Sequence, residues 1–180
     1  MGQDPITLII ATVGGLYFFI VLLRFMLQLA RADYYNPISQ AVVKLTNKPL
    51  APLQKAIPRA GRFDLSALLL AFIVKLATIA LIINVSGGNL PIPMMLIVSA
   101  VSVLDSILAI YFWGVLASVI ISWIAPGSYH PGPQLIQQLV EPIMELARKV
   151  IPPIGGLDLS PILIFLIIQI IRAQLAPFAM

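Results

Sequence analysis

Ile57-Pro58-Arg59-Ala60-Gly61-Arg62-Phe63-Asp64-Leu65-Ser66 returns 94 positions later as Ile151-Pro152-Pro153-Ile154-Gly155-Gly156-Leu157-Asp158-Leu159-Ser160. A polar stretch leads into each copy and a long apolar run leaves it. Span, loop and span, written twice, is a common plan of membrane proteins. The repeat therefore sets the architecture and marks the two loops as the shared part, with residues 1–88 as the first repeat and 89–180 as the second.

Composition points to the same solvent. Sixty per cent of the 180 residues are hydrophobic, 10% are charged, and mean hydropathy is +1.02. A soluble domain carries about 25% charged residues. Too much apolar surface is present for a water-soluble core of this size to hide, so lipid surrounds much of the chain. Cysteine is absent from the sequence, which rules out disulfides, thiolate metal sites and a cysteine nucleophile. The start, Met1-Gly2-Gln3-Asp4-Pro5, lacks a basic region, and the apolar run after it is too long for a signal peptide. The first run reads as a retained anchor.

Crossing a bilayer as a helix takes about 20 apolar residues. Residues 6–29, 65–85 and 159–176 each supply one such run, and a third in chain order lies inside 91–125. That stretch is long for one span and contains Asp105. It reads as one tilted helix starting near Met95, or as a short interfacial piece followed by a span from Ser106. The fold class expected is all-α: a polytopic membrane protein with four transmembrane helices in two parallel repeats.

Charge gives an orientation. Of eleven Lys and Arg, six (Arg31, Lys44, Lys48, Lys55, Arg59, Arg62) lie in or beside the first loop, and two (Arg148, Lys149) lie in the second. Arg24, Lys75 and Arg172 fall inside apolar runs. The positive-inside rule puts both loops in the cytoplasm and both termini outside, in the periplasm if the membrane is a bacterial inner membrane. The basic balance is thus explained by topology, with no role for nucleic acid. Within the loops, Ile38, Ala41, Val42 and Leu45 share one helical face after an Asn36-Pro37 start. Leu135, Ile136, Leu139 and Val140 make a similar face, which Pro142 is expected to interrupt before a second short helix through Ile143, Leu146, Ala147 and Val150. Such helices lie in the headgroup plane, with an anionic cytoplasmic leaflet as partner.

The second motif with Pro161, the Asn36-Pro37 turn and the Thr46-x-x-Pro49-Leu50-x-Pro52-Leu53 run together resemble the YggT family. These are small bacterial integral membrane proteins, called YlmG in Gram-positive bacteria and plastids. The resemblance covers nearly the whole chain. The first copy departs from the pattern at Arg59, Arg62 and Ala67, where the second has Pro153, Gly156 and Pro161. It implies an inner-membrane protein tied to osmotic-shock tolerance and ion homeostasis, to cell division, or in plastids to haem attachment on a cytochrome b. It brings no catalytic residue set.

Two groups of residues are candidates for a site. The first is the repeated motif: Pro58, Gly61, Asp64 and Ser66, with Pro152, Gly155, Asp158 and Ser160. Its carboxylates suit helix N-caps and its glycines suit tight turns. The functional alternative is a paired site, two carboxylates near a pseudo-twofold axis, for a cation or a partner. The second group is a pair of intramembrane charges. Lys75 lies ten residues from Leu65 and Asp105 ten from Met95, each about 15 Å deep, which predicts that they meet and join the halves. Arg24 and Arg172 lie nearer the span ends and are expected to snorkel. Gln169 fills the Lys75 position in the second copy, and Gly14-Gly15 is expected to admit a close neighbouring helix. His130, the single histidine, reads as a turn residue in Tyr-His-Pro-Gly.

No phosphate loop, dinucleotide fingerprint or nucleophile elbow occurs in the sequence. No enzyme or cofactor is expected. Two classes of function remain: a membrane organiser or assembly factor whose loops bind lipid and a membrane-protein partner or second copy, and a small oligomeric ion channel or transporter with Lys75 and Asp105 near its path.

Overall fold

A computed structural model describes residues 4–57, 61–153, 155 and 158–178. Six α-helices follow one another: α1 (Pro5–Leu29), α2 (Pro37–Ala56), α3 (Leu65–Val85), α4 (Ile92–Ile124), α5 (Pro131–Val150) and α6 (Ser160–Leu175), which a 3-10 turn extends (Ala176–Phe178). Helices α1, α3, α4 and α6 with its turn are long and apolar enough to cross a membrane. Their outward faces carry large apolar side chains such as Ile9, Val13, Leu104, Ile120, Ile162 and Leu166. A helix apolar all round with so much of that surface uncovered is matched to lipid.

The stretch 91–125 is one helix, with Pro91 as its N-cap residue. At 33 residues it is about 50 Å long, more than the roughly 30 Å of a hydrocarbon core, so it tilts or projects from the bilayer. Asp105 is accommodated inside it by a partner described below.

Both loops form helices that are continuous from end to end. Asn36 caps α2 by accepting from the Ile38 amide at 2.9 Å, and Pro37 opens it. Pro142 does not break α5, which runs from Pro131 to Val150; nor do Pro49 and Pro52 break α2. A proline removes one backbone donor and crowds the preceding turn, a cost of about 3 kcal/mol in an isolated helix. Here packing on one side holds the helix together, with Val140 and Met144 buried around Pro142. The Ile-Pro step does end each of them. The C-cap residues Ile57 (φ −119°, ψ 104°) and Ile151 (φ −125°, ψ 95°) take nearly the same extended conformation, which the following proline enforces.

The buried face of α2 is rotated from the one its apolar residues suggest. Ser39, Val42, Thr46 and Leu50 are buried, whereas Ile38, Ala41 and Leu45 are exposed. The reason lies in α1, whose Arg24 demands polar partners and draws the Thr46 side of α2 inward. The apolar residues left outside suit a helix lying against lipid.

The two loop helices share one side of the molecule. Asn36 Nδ2 donates to the Pro131 carbonyl at 2.8 Å, and the Asp33 amide donates to Gln138 Oε1 at 2.8 Å. Beneath them lie two cores. Phe18, Val21, Leu22, Phe25, Met26, Leu50 and Leu70 form the first, which reaches across to Val103, Leu135 and Leu139 of the second half. Val115, Val140, Met144, Ala147, Ile164 and Ile168 form the other. Equivalent positions recur, Val21 with Val115, Leu50 with Met144 and Leu70 with Ile164. Close approach assists this packing: a Cβ on Gly14 would collide with the Thr78 side chain, which on α3 packs directly against the α1 backbone there. Gly15 has no such neighbour.

Two of the spans end in the same turn. After α3, Gly87 (φ 66°) bonds to Asn84 and Gly88 to Ile83; after α1, Arg31 (φ 55°) bonds to Gln28 and Ala32 to Leu27. This turn needs a left-handed residue, ordinarily glycine. Arginine there costs about 1–2 kcal/mol.

Candidate functional site

The repeated motif is a clamp between a loop helix and the span that follows it. In the first copy Gly61 turns the chain with φ 61°, and the fully buried Asp64 caps α3. Asp64 Oδ1 accepts from the Ala67 amide at 3.2 Å, while Oδ2 accepts from Gln54 Nε2 on α2 at 2.8 Å. Ser66 Oγ donates to the Ile57 carbonyl at 3.2 Å, tying the end of α2 to the start of α3. In the second copy Gly155 has φ 60°. Asp158 Oδ1 accepts from the Ser160 amide at 2.9 Å, and Oδ2 accepts from Arg148 Nε on α5 at 2.9 Å. Pro58 lies outside the described residues, as do Arg59, Ile154 and Gly156; Pro152 is exposed in the turn before Gly155, and Ser160 is fully buried at the start of α6.

Gln54 and Arg148 occupy equivalent repeat positions, each ten residues before its aspartate. The sequence displays the aspartates and hides these partners, because glutamine in one copy and arginine in the other do not look alike. Their common property is a donor that reaches a carboxylate. Arg148 also binds Glu141 at 2.6 Å. Burial pushes the Asp158 carboxyl up, but hydrogen bonds from Ser160 and Arg148 outweigh it and hold the group below its ordinary value. The bond to Asp158 in turn raises Arg148, against its partial burial and with help from Glu141.

Each aspartate takes a donor from the loop helix of its own repeat, an arrangement that the alternative of two carboxylates turned toward a shared cation does not call for. Among the described residues no three His, Asp or Glu side chains gather in a way that could hold a metal. His130 precedes Pro131 at the start of α5, where its side chain makes no cap.

The intramembrane charges pair differently from the expectation. Asp105 and Lys75 do not meet. Asp105 binds Arg172 through two bonds, Nε to Oδ1 at 2.7 Å and Nη2 to Oδ2 at 3.1 Å. Lys75 Nζ lies over the Phe18 ring, 5.6 Å from its centre. Two features of the molecule account for the difference. Counting depth from Met95 misplaces Asp105, since α4 is longer than the membrane is thick. Arg172 is also a better partner, because its planar fork matches a carboxylate with two parallel bonds. Arg172 is therefore anchored to α4. Gln169, at the position equivalent to Lys75, is exposed.

Arg24 does not snorkel. Its side chain is buried and reaches α2, where it donates to the Val43 carbonyl at 3.1 Å, to Thr46 Oγ1 at 2.8 Å and to Asn47 Oδ1 at 3.4 Å. A charge inside an apolar run thus fixes how the first loop helix docks.

These features define an all-helical, multi-pass membrane protein made of a duplicated hairpin, with an amphipathic helix joining the two spans of each copy. The sequence profile of the CCB3/YggT family matches residues 3–85 and again 97–179, and the chain belongs to that family. It is similar to an uncharacterized protein of Pseudomonas aeruginosa, 47% identical over 165 residues that cover 91% of this chain and 84% of the relative. It is similar also to an uncharacterized Vibrio alginolyticus protein, 37% identical over 169 residues, covering 93% and 91%. The uncharacterized protein YggT of Escherichia coli is 33% identical over 174 residues, covering 97% and 90%. None of these names an enzyme. No solved structure matches the chain.

Proposed function

We propose that the protein is a non-enzymatic organiser or assembly factor of the bacterial inner membrane, acting in envelope and osmotic-stress physiology or in cell division. Its loop helices face the cytoplasm and both termini face the periplasm. The partners are the anionic leaflet and a membrane protein or second copy. One observation carries this reading: the turn that opens the first loop helix is bonded to the second loop helix across the repeats, so that both lie on one side of the molecule. Aromatic and apolar side chains stand out from that face, among them Tyr35 (81% exposed), Tyr129 (93% exposed) and Val150 (70% exposed). Exposed rings and apolar groups beside basic residues suit contact with headgroups or with another membrane protein.

The second reading, a small oligomeric ion channel or transporter in osmotic ion homeostasis, is favoured by the charges at membrane depth. Lys75, Asp105 and Arg172 are costly there, and such groups commonly mark a conduction path. The organiser is preferred because Asp105 and Arg172 close on each other as a bidentate pair. Ion flux through proteoliposomes decides between the two. A tight membrane with both wild type and Asp105→Asn is expected; flux in the wild type that Asp105→Asn abolishes would establish the transporter instead.

A further inference from the structure

Between the end of α1 and the first half of α2 lies a polar cavity of about 480 Å³. Its polar lining is Arg24, Gln28, Arg31, Tyr34, Ser39 and Asn47: two guanidinium groups and no carboxylate. We propose that this cavity binds the phosphodiester headgroup of an anionic phospholipid.

Three independent observations lead there. The Ser39 side chain is buried, and its hydroxyl has no hydrogen-bond partner within the protein. Thr7 and Ser160 share that state among the described residues, but of the three only Ser39 lines this cavity, where a rotation of its side chain would offer the hydroxyl to a phosphate oxygen. Arg31 occupies the left-handed turn position that Gly87 fills after α3. Backbone strain of this kind concentrates where a side chain is needed for binding. Arg24 is held in place by α2, so its side chain is positioned before any ligand arrives. Guanidinium groups are the preferred partners of phosphate oxygens.

The second repeat lacks all of this. Ser118, Ala125, Pro133 and Glu141 stand at the positions of Arg24, Arg31, Ser39 and Asn47. The hairpin evidently forms without two arginines, so they are not demanded by the repeat itself, and Glu141 would repel an anion.

A lipid is favoured over a free anion by what adjoins the cavity. Leu27 lines it and also lines an apolar crevice of about 630 Å³ that runs along α1 and α4 past Leu23, Phe19, Ile110 and Trp113. A polar chamber and an apolar channel sharing one wall match a phosphate with its acyl chains. The assignment rests on the reading that the loop face lies at headgroup level.

Native mass spectrometry and thermal shift on the purified full chain in neutral detergent test it, with short-chain phosphatidylglycerol, phosphatidylcholine of the same chain length, and inorganic phosphate as probes. Phosphatidylglycerol is expected to bind about tenfold or more tightly than either of the others. Arg31→Gly should abolish most of that preference while leaving the unliganded chain as thermally stable as the wild type or more so, since glycine relieves the turn. Arg31→Lys should keep part of the preference, and Ser39→Ala should weaken binding severalfold. Equal binding of the two lipids, or unchanged preference in Arg31→Gly, would overturn the site. Inorganic phosphate binding as tightly as phosphatidylglycerol would overturn the lipid. Cysteine labelling at positions 44 and 48 reports sidedness separately, so lost preference with the loops found in the cytoplasm counts against this site alone.

Discussion

Asp105 on α4 and Arg172 on α6 lock together through two bonds, at 2.7 and 3.1 Å, and so join the two spans of the second repeat. About a third of each side chain is uncovered by protein. Arg172→Met would leave a partly buried carboxylate without compensation, and losing a bidentate bond of this kind costs about 1.5–3 kcal/mol. Lys75→Met loses one ring contact, worth about 1 kcal/mol. Thermal unfolding in detergent should therefore show a large drop for Arg172→Met and a small one for Lys75→Met. The reverse order would mean that Asp105 takes Lys75 as its partner.

Gly14 and Gly15 are neighbours in sequence with opposite roles. A Cβ at Gly14 would stand 2.7 Å from the Thr78 methyl, whereas at Gly15 nothing lies within 4 Å. Gly14→Ala should destabilise by about 1–3 kcal/mol through overpacking. Gly15→Ala should be neutral or stabilising by up to about 1 kcal/mol, as alanine favours a helix. Chemical denaturation of the two variants side by side provides the comparison.

The second motif should weaken in acid. Asp158 is held below its ordinary value of 3.8, so the folded state binds its proton less readily than the unfolded chain does. The stabilisation is present above the unfolded value and disappears as pH falls through the lower folded one. A wild type more stable than Asp158→Asn at neutral pH, with the gap closing below about pH 4, is the expected pattern. A gap that stays constant down to pH 2 would show that the carboxylate's charge contributes nothing.

Sidedness follows from the bonds between the loops. Single cysteines replacing Lys44 in α2 and Glu145 in α5, both exposed, should react with an impermeant reagent from the same side of inverted vesicles. Reaction of the two from opposite sides is incompatible with the Asn36–Pro131 bond.

Much of the fold is legible in the residues because lipid imposes simple demands. A run of about 20 apolar residues must be a helix, and two copies of one motif must be two similar hairpins. The Ile-Pro steps before residues 58 and 152 announce where α2 and α5 stop, since proline restricts the residue before it. Pro142 was misleading because local propensity is weaker than packing along a buried face. The buried face of α2 was misleading because apolar spacing cannot register an arginine on another helix.

The sequence by itself determined the solvent, the four spans, the duplication and the aspartate at each motif's second helix, all of which depend on short runs of residues or on the likeness of one run to another. Only the tertiary structure decided which distant groups meet: Arg172 with Asp105, Gln54 with Asp64, Arg148 with Asp158, and Arg24 with Thr46. Helix tilt and rotation set those encounters, and both arise from side-chain packing between spans, which no count of residues along one helix contains.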